Sequence, residues 1–230
     1  MTFATRDLAL SVSRSSSDVQ RSLGSGVLAF PMTPFAEGGA LERARLASHI
    51  EYLIGHEPAA LIVAAGGAEF FSLTPEERRT VAATEVSVAG GRLPVIAGVG
   101  YGAAIAVPMA QGAEAAGADG VLVLPPYLVA PEKGGLLEHI STICRAVTIA
   151  VIPYHRDDTT YDDNCPVRAV EAHSNLIALK DEVGDLLLAL RLRVSGRGVG
   201  PVRLPLVDMT AQEDAELRRI LGAALDGKPN

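Results

Sequence analysis

Tryptophan is absent from this chain of 230 residues, and only five phenylalanines and five tyrosines supply its aromatic content. A core must therefore be built from aliphatic side chains, which the 48% hydrophobic content provides. Cysteine is almost as scarce: Cys144 and Cys165 form no C-x-x-C pair, which excludes a disulfide framework. Both read as reduced thiols of a cytoplasmic protein. Basic surplus is lacking too, since 20 lysines and arginines against 27 acids leave a net charge of −7. No basic stripe is expected, and nucleic acid is excluded as a partner. No apolar run approaches the roughly 20 residues that span a bilayer, so no membrane partner is expected either. The leading residues, through Ser15-Ser16-Ser17, lack a continuous apolar signal core, and residues 1 to about 16 read as a loose tail. Neither an H-E-x-x-H motif nor a Cys/His cluster offers a metal site.

What is present is a regular beat. Val27 to Pro31, Ala60 to Ala64, Leu93 to Ala97, Gly120 to Leu124, Thr148 to Ile152 and Leu176 to Leu179 read as strands. They are continuously apolar rather than alternating, as parallel strands covered on both faces are. Helical patterns separate them, around Leu41 to Ile54, from Thr74-Pro75-Glu76-Glu77, and around Ala103 to Ala116, Gly134 to Ala146, Val167 to His173 and Asp185 to Arg193. The start at Thr74 is well marked, with a threonine cap, proline in the first turn and two acids beside it. Six strand–helix alternations give an α/β fold.

Two α/β architectures fit. A doubly wound sheet would use Gly98-Val99-Gly100-Tyr101-Gly102-Ala103, which satisfies G-x-G-x-x-A, with Asp119 as a ribose-binding acid. Asp119, however, precedes its strand, whereas a ribose acid follows one. A barrel accounts for more. Thr33, Glu69, Tyr101, Tyr127, Tyr154, Arg156 and Lys180 all fall at or just beyond strand C-termini, the rim where (β/α)8 barrels build their active sites. Lys180 closes the apolar run Leu176-Ile177-Ala178-Leu179, where burial disfavours the cation and favours a nucleophilic amine. Tyr154 ends the preceding strand, and its hydroxyl can shuttle the protons that imine formation needs. The plainer alternative is a lysine that caps its strand and pairs with Asp181 or Glu182.

The segments GSGVLAFPMTPF (Gly24 to Phe35), GGAEFFSLTPEE (Gly66 to Glu77), PVIAGVGYG (Pro94 to Gly102), GADGVLVLPPYLV (Gly117 to Val129), VIPYHRD (Val151 to Asp157) and NLIALKDEVGD (Asn175 to Asp185) carry a resemblance. Together they resemble the dihydrodipicolinate synthase and N-acetylneuraminate lyase superfamily, Schiff-base lyases on a (β/α)8 barrel. Phe70-Phe71-Ser72-Leu73, Gly100-Tyr101-Gly102 and Tyr127-Leu128-Val129 are similar to its 5-dehydro-4-deoxyglucarate dehydratase branch. The resemblance implies a carbon–oxygen lyase that dehydrates and decarboxylates 5-dehydro-4-deoxy-D-glucarate to 2,5-dioxopentanoate without metal or cofactor. It implies Lys180 as the imine-forming residue and Tyr154 as the proton relay. Gly66 and Gly67 fall in a carboxylate-binding turn, and Tyr127 and Arg156 along the substrate rim. A small sugar acid is the implied ligand and a homo-oligomer the implied assembly.

The chain also departs from that pattern. Gly67 and Ala68 stand where the family has threonine and glycine, and the lost hydroxyl removes a donor worth roughly 1.5–3 kcal/mol to a carboxylate. His155 replaces the usual asparagine. After Arg193 the chain passes almost directly to Gly200-Pro201-Val202-Arg203-Leu204-Pro205-Leu206, similar to the family's extreme C-terminus, and Thr210 to Leu221 reads as a final helix. The expected architecture is therefore an incomplete barrel lacking strands 7 and 8. Residues 1–23 form a tail and lead-in, 24–193 barrel units one to six, and 194–230 a C-terminal segment. Three functions remain open: a working lyase or related 2-oxo-acid aldolase, an impaired remnant of that enzyme, and a binding module using the same rim.

Overall fold

The computed structural model describes residues 14–126, 131–156 and 171–181, with 210, 212, 215 and 219. The chain forms two compact units, Met1–Lys180 and Asp181–Asn230. Six strands stand side by side in chain order: β1 (Leu28–Ala29), β2 (Ala60–Val63), β3 (Val95–Val99), β4 (Gly120–Val123), β5 (Ala150–His155) and β6 (Lys180–Asp181). Pairing is parallel from β1 through β5, with Leu61 opposite Val95 and Leu122 opposite Ile152. The approach to β6 pairs in the same sense: Val151 N donates to Asn175 O at 2.8 Å, and Ile177 N to Val151 O at 3.2 Å.

Helices α2 (Arg43–Ile54), α3 (Pro75–Ala89), α4 (Ala103–Ala115) and α5 (Lys133–Ala146) carry the crossovers from β1 to β5. Each crossover delivers the next strand beside the last, with no reversal of strand order. That winding is a barrel's and not a doubly wound sheet's, and the described sheet is part of a (β/α)8 barrel.

The continuous apolar runs divide by parity between two cores. Leu61, Val63, Val95, Ala97, Val99, Val121, Val123 and Val151 face the helices. Ile62, Ile96, Leu122, Ile152 and Tyr154 face inward. Side chains alternate across a strand with period two, so a strand buried on both sides must be apolar throughout. The inner face is tight at Gly98, where a Cβ would lie 2.4 Å from the Ala64 carbonyl oxygen. This close approach explains the glycine structurally. Asp119 is likewise structural: it precedes β4 at the N-terminal ends of the strands, accepting the Val95 N–H at 2.9 Å and facing Arg14 at 3.3 Å.

The N-terminal ends carry a helix the sequence pattern did not announce. In α1 (Ser16–Leu23) the Ser15 side chain caps Asp18 N, and Val19 is fully buried in the inner core. Gln20 Nε2 donates to Ile177 O and Ser22 Oγ to Ala59 O, both at 2.6 Å. Of the serines that read as tail, Ser15 is the cap of this helix and Ser16 and Ser17 lie in its first turn, and α1 leaves the C-terminal ends of the strands open.

Boundaries shift where the backbone chemistry requires it. Pro94 has no N–H for the ladder, and β3 starts at Val95 rather than Leu93. β1 shrinks to two residues, leaving Val27 80% and Phe30 40% exposed. The expected strand Leu176 to Leu179 bridges β5 at Leu176, while the strand proper begins at Lys180. Glu171 and Ala172 are helical, but the start of that expected helix, the helix Asp185 to Arg193, segment 200–206 and the expected absence of strands 7 and 8 lie outside the described residues. Gln212, Ala215 and Arg219 are helical, within the span expected for the final helix. No helix among the described residues is long and apolar enough to cross a membrane.

Candidate active site

Lys180 and Tyr154 meet because β5 and β6 are neighbours, and Lys180, which opens β6, stands beside the C-terminal part of β5. The Lys180 Nζ lies 3.7 Å from the centre of the Tyr154 ring. Tyr154 is buried in the inner core, its ring continuing the column of Ile152 below it. Lys180 is half-buried, so the expected desolvation is only partial, and its ammonium rests on an aromatic face. Arg156, two residues beyond Tyr154 and on the same side of the strand, donates from Nη1 to the Tyr154 hydroxyl at 3.2 Å. Three residues singled out from sequence thus form one cluster. His155, of opposite parity, is half-buried.

Gly66 and Gly67 lie across the rim in the turn Gly66–Ala68, one turn of 3-10 helix after β2. The amides of Ala68 and Phe70 both donate to Ala65 O, and that of Glu69 to Gly66 O. Thr33 Oγ1 donates to Ala68 O at 2.8 Å and ties the turn to the segment after β1. The amides of Ala68, Glu69 and Phe70 therefore close the turn on itself. Tyr127 lies outside the described residues.

Three of the four non-glycine residues with positive φ among the described residues lie at the same end of the barrel, the fourth being Glu57 before β2. Ala64 and Glu69 after β2, and Tyr101 after β3, have φ of 47°, 59° and 68°. Non-glycine residues enter this region at a cost unless their surroundings hold them there. Part of the support comes from Arg78, which sequence reading missed. Its guanidinium stacks 5.1 Å from the Phe70 ring and 5.6 Å from the Tyr101 ring, and Nη1 donates to Phe70 O and Leu73 O. The signal was present in the spacing: Arg78, Val81, Ala82, Glu85 and Ala89 form one helical stripe, which places Arg78 and Glu85 on the buried face of α3.

Phe30 was also missed, and its ring centre stands 5.8 Å from the Lys180 Nζ. Cys144 is buried, and burial pushes its thiol up to about 11, which makes it unreactive. A cavity of about 310 Å³ between α3 and α4 is lined by Arg78 and Pro108, and neither Lys180 nor Tyr154 reaches it.

The geometry has a family. Residues 24–198 match the model of the dihydrodipicolinate synthetase family. A Bradyrhizobium sp. protein named "Probable 5-dehydro-4-deoxyglucarate dehydratase" is 45% identical over 170 residues, covering 74% of this chain and 54% of that protein. A protein of the same name from Ralstonia nicotianae is 43% identical over 176 residues, covering 76% and 57%. The chain spans about half the length of the curated relatives it matches. Among solved structures, an E. coli K12 prophage protein of the dihydrodipicolinic acid synthase family in complex with pyruvate shares 29% identity at a TM-score of 0.66, covering 74% of this chain and 59% of that one. The chloride-inhibited dihydrodipicolinate synthase from Acinetobacter baumannii, complexed with pyruvate, shares 26% at 0.68, covering 75% and 61%. The chain belongs to the dihydrodipicolinate synthetase family.

Proposed function

We propose that this chain is a Schiff-base lyase that dehydrates and decarboxylates 5-dehydro-4-deoxy-D-glucarate to 2,5-dioxopentanoate, water and CO₂. The observation that carries the reading is the Lys180 ammonium on the Tyr154 ring, with Arg156 bonded to the Tyr154 hydroxyl. The substrate comes from the names of the relatives, 41–45% identical over about three quarters of the chain.

In this reading the Lys180 amine attacks the substrate ketone, and water leaves to give an iminium. The iminium withdraws electrons from the neighbouring carbon, which yields a proton and expels the β-hydroxyl as water. The conjugated iminium then takes up the electron pair released as CO₂ departs, and hydrolysis frees Lys180. Tyr154 moves protons at the nitrogen and the departing oxygen, its hydroxyl oriented by Arg156. A substrate carboxylate is held by the amides of Gly66 and Gly67, since those of Ala68, Glu69 and Phe70 serve the turn itself. Arg156 and Tyr127 line the rim for the second carboxylate of this diacid. The protein works in the cytoplasm as a homo-oligomer.

A second reading, an impaired remnant of the same enzyme, is favoured by Gly67, which has no side-chain hydroxyl to donate to a substrate carboxylate. Both are tested by incubating the protein with substrate, assaying 2,5-dioxopentanoate, and reducing a parallel sample with borohydride. The lyase reading expects product and a mass increase on the peptide holding Lys180, both lost in Lys180→Ala. An adduct at Lys180 without product supports the remnant. Labelling elsewhere, or unchanged in Lys180→Ala, overturns the assignment of the nucleophile.

A further inference from the structure

Two aromatic faces, not one, stand against the Lys180 ammonium. Tyr154 approaches from β5 with its ring centre 3.7 Å from Nζ, and Phe30, just beyond β1, from 5.8 Å. Lys180 itself opens β6, so the three residues come from three separate strands or strand ends around the inner face. We infer that Phe30 and the ring of Tyr154 form a cation–π bracket that positions the Lys180 nitrogen first as ammonium and then as iminium. The inference rests on Lys180 as the nucleophile and gives Tyr154 a role separate from its hydroxyl chemistry.

Charge on the nitrogen is conserved across the step. Condensation of the ammonium with a ketone breaks the carbonyl C=O bond and forms C=N. Two of the three N–H protons leave with the ketone oxygen as water. The nitrogen carries a formal charge of +1 at the start and at the end. A site shaped for a cation therefore serves both states without rearranging its dipoles. What changes is hydrogen bonding: the ammonium has three N–H donors, the iminium one, and its charge is spread over carbon. Ring faces attract a cation without requiring N–H donors, which is why poorly hydrated cations are bound in aromatic cages. Loss of hydrogen bonding on condensation is thus offset by the two rings, and the equilibrium moves toward the iminium. Phe30 is the informative member. It carries no polar atom, so it can act on Nζ only through its ring and its bulk. At 40% exposure its substitution also leaves the core intact.

The test uses the full chain with pyruvate as the 2-oxo-acid probe. Borohydride reduction after equilibration at graded pyruvate gives the concentration that half-saturates the adduct on the Lys180 peptide, read by mass. Phe30→Leu, which keeps an apolar side chain and removes the ring, is expected to raise that concentration about threefold, and Phe30→Trp to hold or lower it, because tryptophan is the strongest cation–π partner. Tyr154→Phe keeps the ring and is expected within about twofold of wild type at equilibrium, with slower approach, whereas Tyr154→Leu rises about tenfold. Circular dichroism and thermal unfolding of each variant check that the fold persists. Should Tyr154→Leu lose its fold, the Phe30 pair decides. Half-saturation at wild-type pyruvate in Phe30→Leu, or equal losses in Phe30→Leu and Phe30→Trp, overturns the bracket while leaving Lys180 as nucleophile. Absence of any adduct on wild-type Lys180 overturns both.

Discussion

The centre and the edges of the sheet are built to different standards. β2, β3, β4 and β5 run four to six residues each, and every residue in them but His155 is buried. β1 and β6 contribute two residues apiece, and β1 is only half-buried. The proposed chemistry gathers at the second kind of place: Lys180 opens β6, Phe30 follows β1, Arg156 lies just beyond β5, and only Tyr154 belongs to a well-paired strand. Stability and reactivity are therefore drawn from different residues, and perturbing one region should spare the other. A centre where Cβ atoms have no room gives the strongest contrast. Gly98→Ala would drive a methyl group to 2.4 Å from the Ala64 carbonyl oxygen, which belongs to backbone and cannot rotate away. A loss of about 3 kcal/mol is expected by denaturant unfolding. A loss below about 1 kcal/mol would mean that β2 and β3 separate easily, and the contrast between centre and edge would fail.

Asn175 is the staple between the two regions, and its removal should be felt in both. Its Nδ2 donates to the carbonyls of Cys144 and Val147 at 3.0 Å and of Ile149 at 3.4 Å, fixing the end of α5 to the segment that leads into β6. Asn175→Ala leaves these carbonyls without that donor, at a cost of about 2 kcal/mol. Because residues 175–177 align the approach to Lys180, borohydride trapping at Lys180 should fall as well. Unfolding that weakens while trapping stays at the wild-type level would show that β6 holds its place without the staple.

The same division decides what could be read from sequence. Central strands declared themselves because both faces are buried, so an unbroken apolar run had one explanation. α3 was equally legible, since Thr74 and Glu77 form a capping box and Pro75 fits the first turn. The seam was harder. Val27, Phe30 and Leu179 are apolar like the central strands yet remain exposed, because short edge segments bury one face or none. α1 was hidden by its composition: it buries a single apolar residue, Val19, and holds its place by hydrogen bonds from Gln20 and Ser22. At the site, Lys180, Tyr154 and Arg156 could be singled out because each follows or ends an apolar run. Phe30 was not, because its partner stands five strands away in the chain and no local pattern links them.

Glu85 tests the centre in a gentler way. It is 1% exposed on α3, and its Oε2 has no hydrogen-bond partner among the described residues. Burial raises its carboxyl well above the ordinary value of 4.5, so the folded chain keeps a proton that the unfolded chain releases. Its contribution is complete below that ordinary value and is lost as pH rises toward the folded one. Stability should therefore decline as pH rises above that ordinary value. Glu85→Gln should remove that decline and be the more stable form at about pH 8, as read from paired denaturant titrations. An unchanged slope in the variant would assign the pH dependence elsewhere.

The smallest expected effect on the fold belongs to the edge. Val27 is 80% exposed beside β1, so Val27→Lys removes almost no buried surface and should change unfolding free energy by less than about 0.5 kcal/mol. Its consequence should appear in association instead. An apolar strand edge is a template for pairing with another chain, and a lysine placed there opposes such pairing by charge and hydration. If the proposed homo-oligomer is joined through this edge, sedimentation equilibrium should show Val27→Lys shifting toward the monomer while Lys180 still takes up the borohydride label. The two readouts separate the possibilities. A variant that assembles as wild type does places the assembly surface elsewhere, whereas a variant that unfolds by more than about 2 kcal/mol shows Val27 to be packed. In that last case β1 would belong with the buried centre, and the division between a stable middle and a reactive seam would have to be redrawn to leave Lys180 alone at the edge.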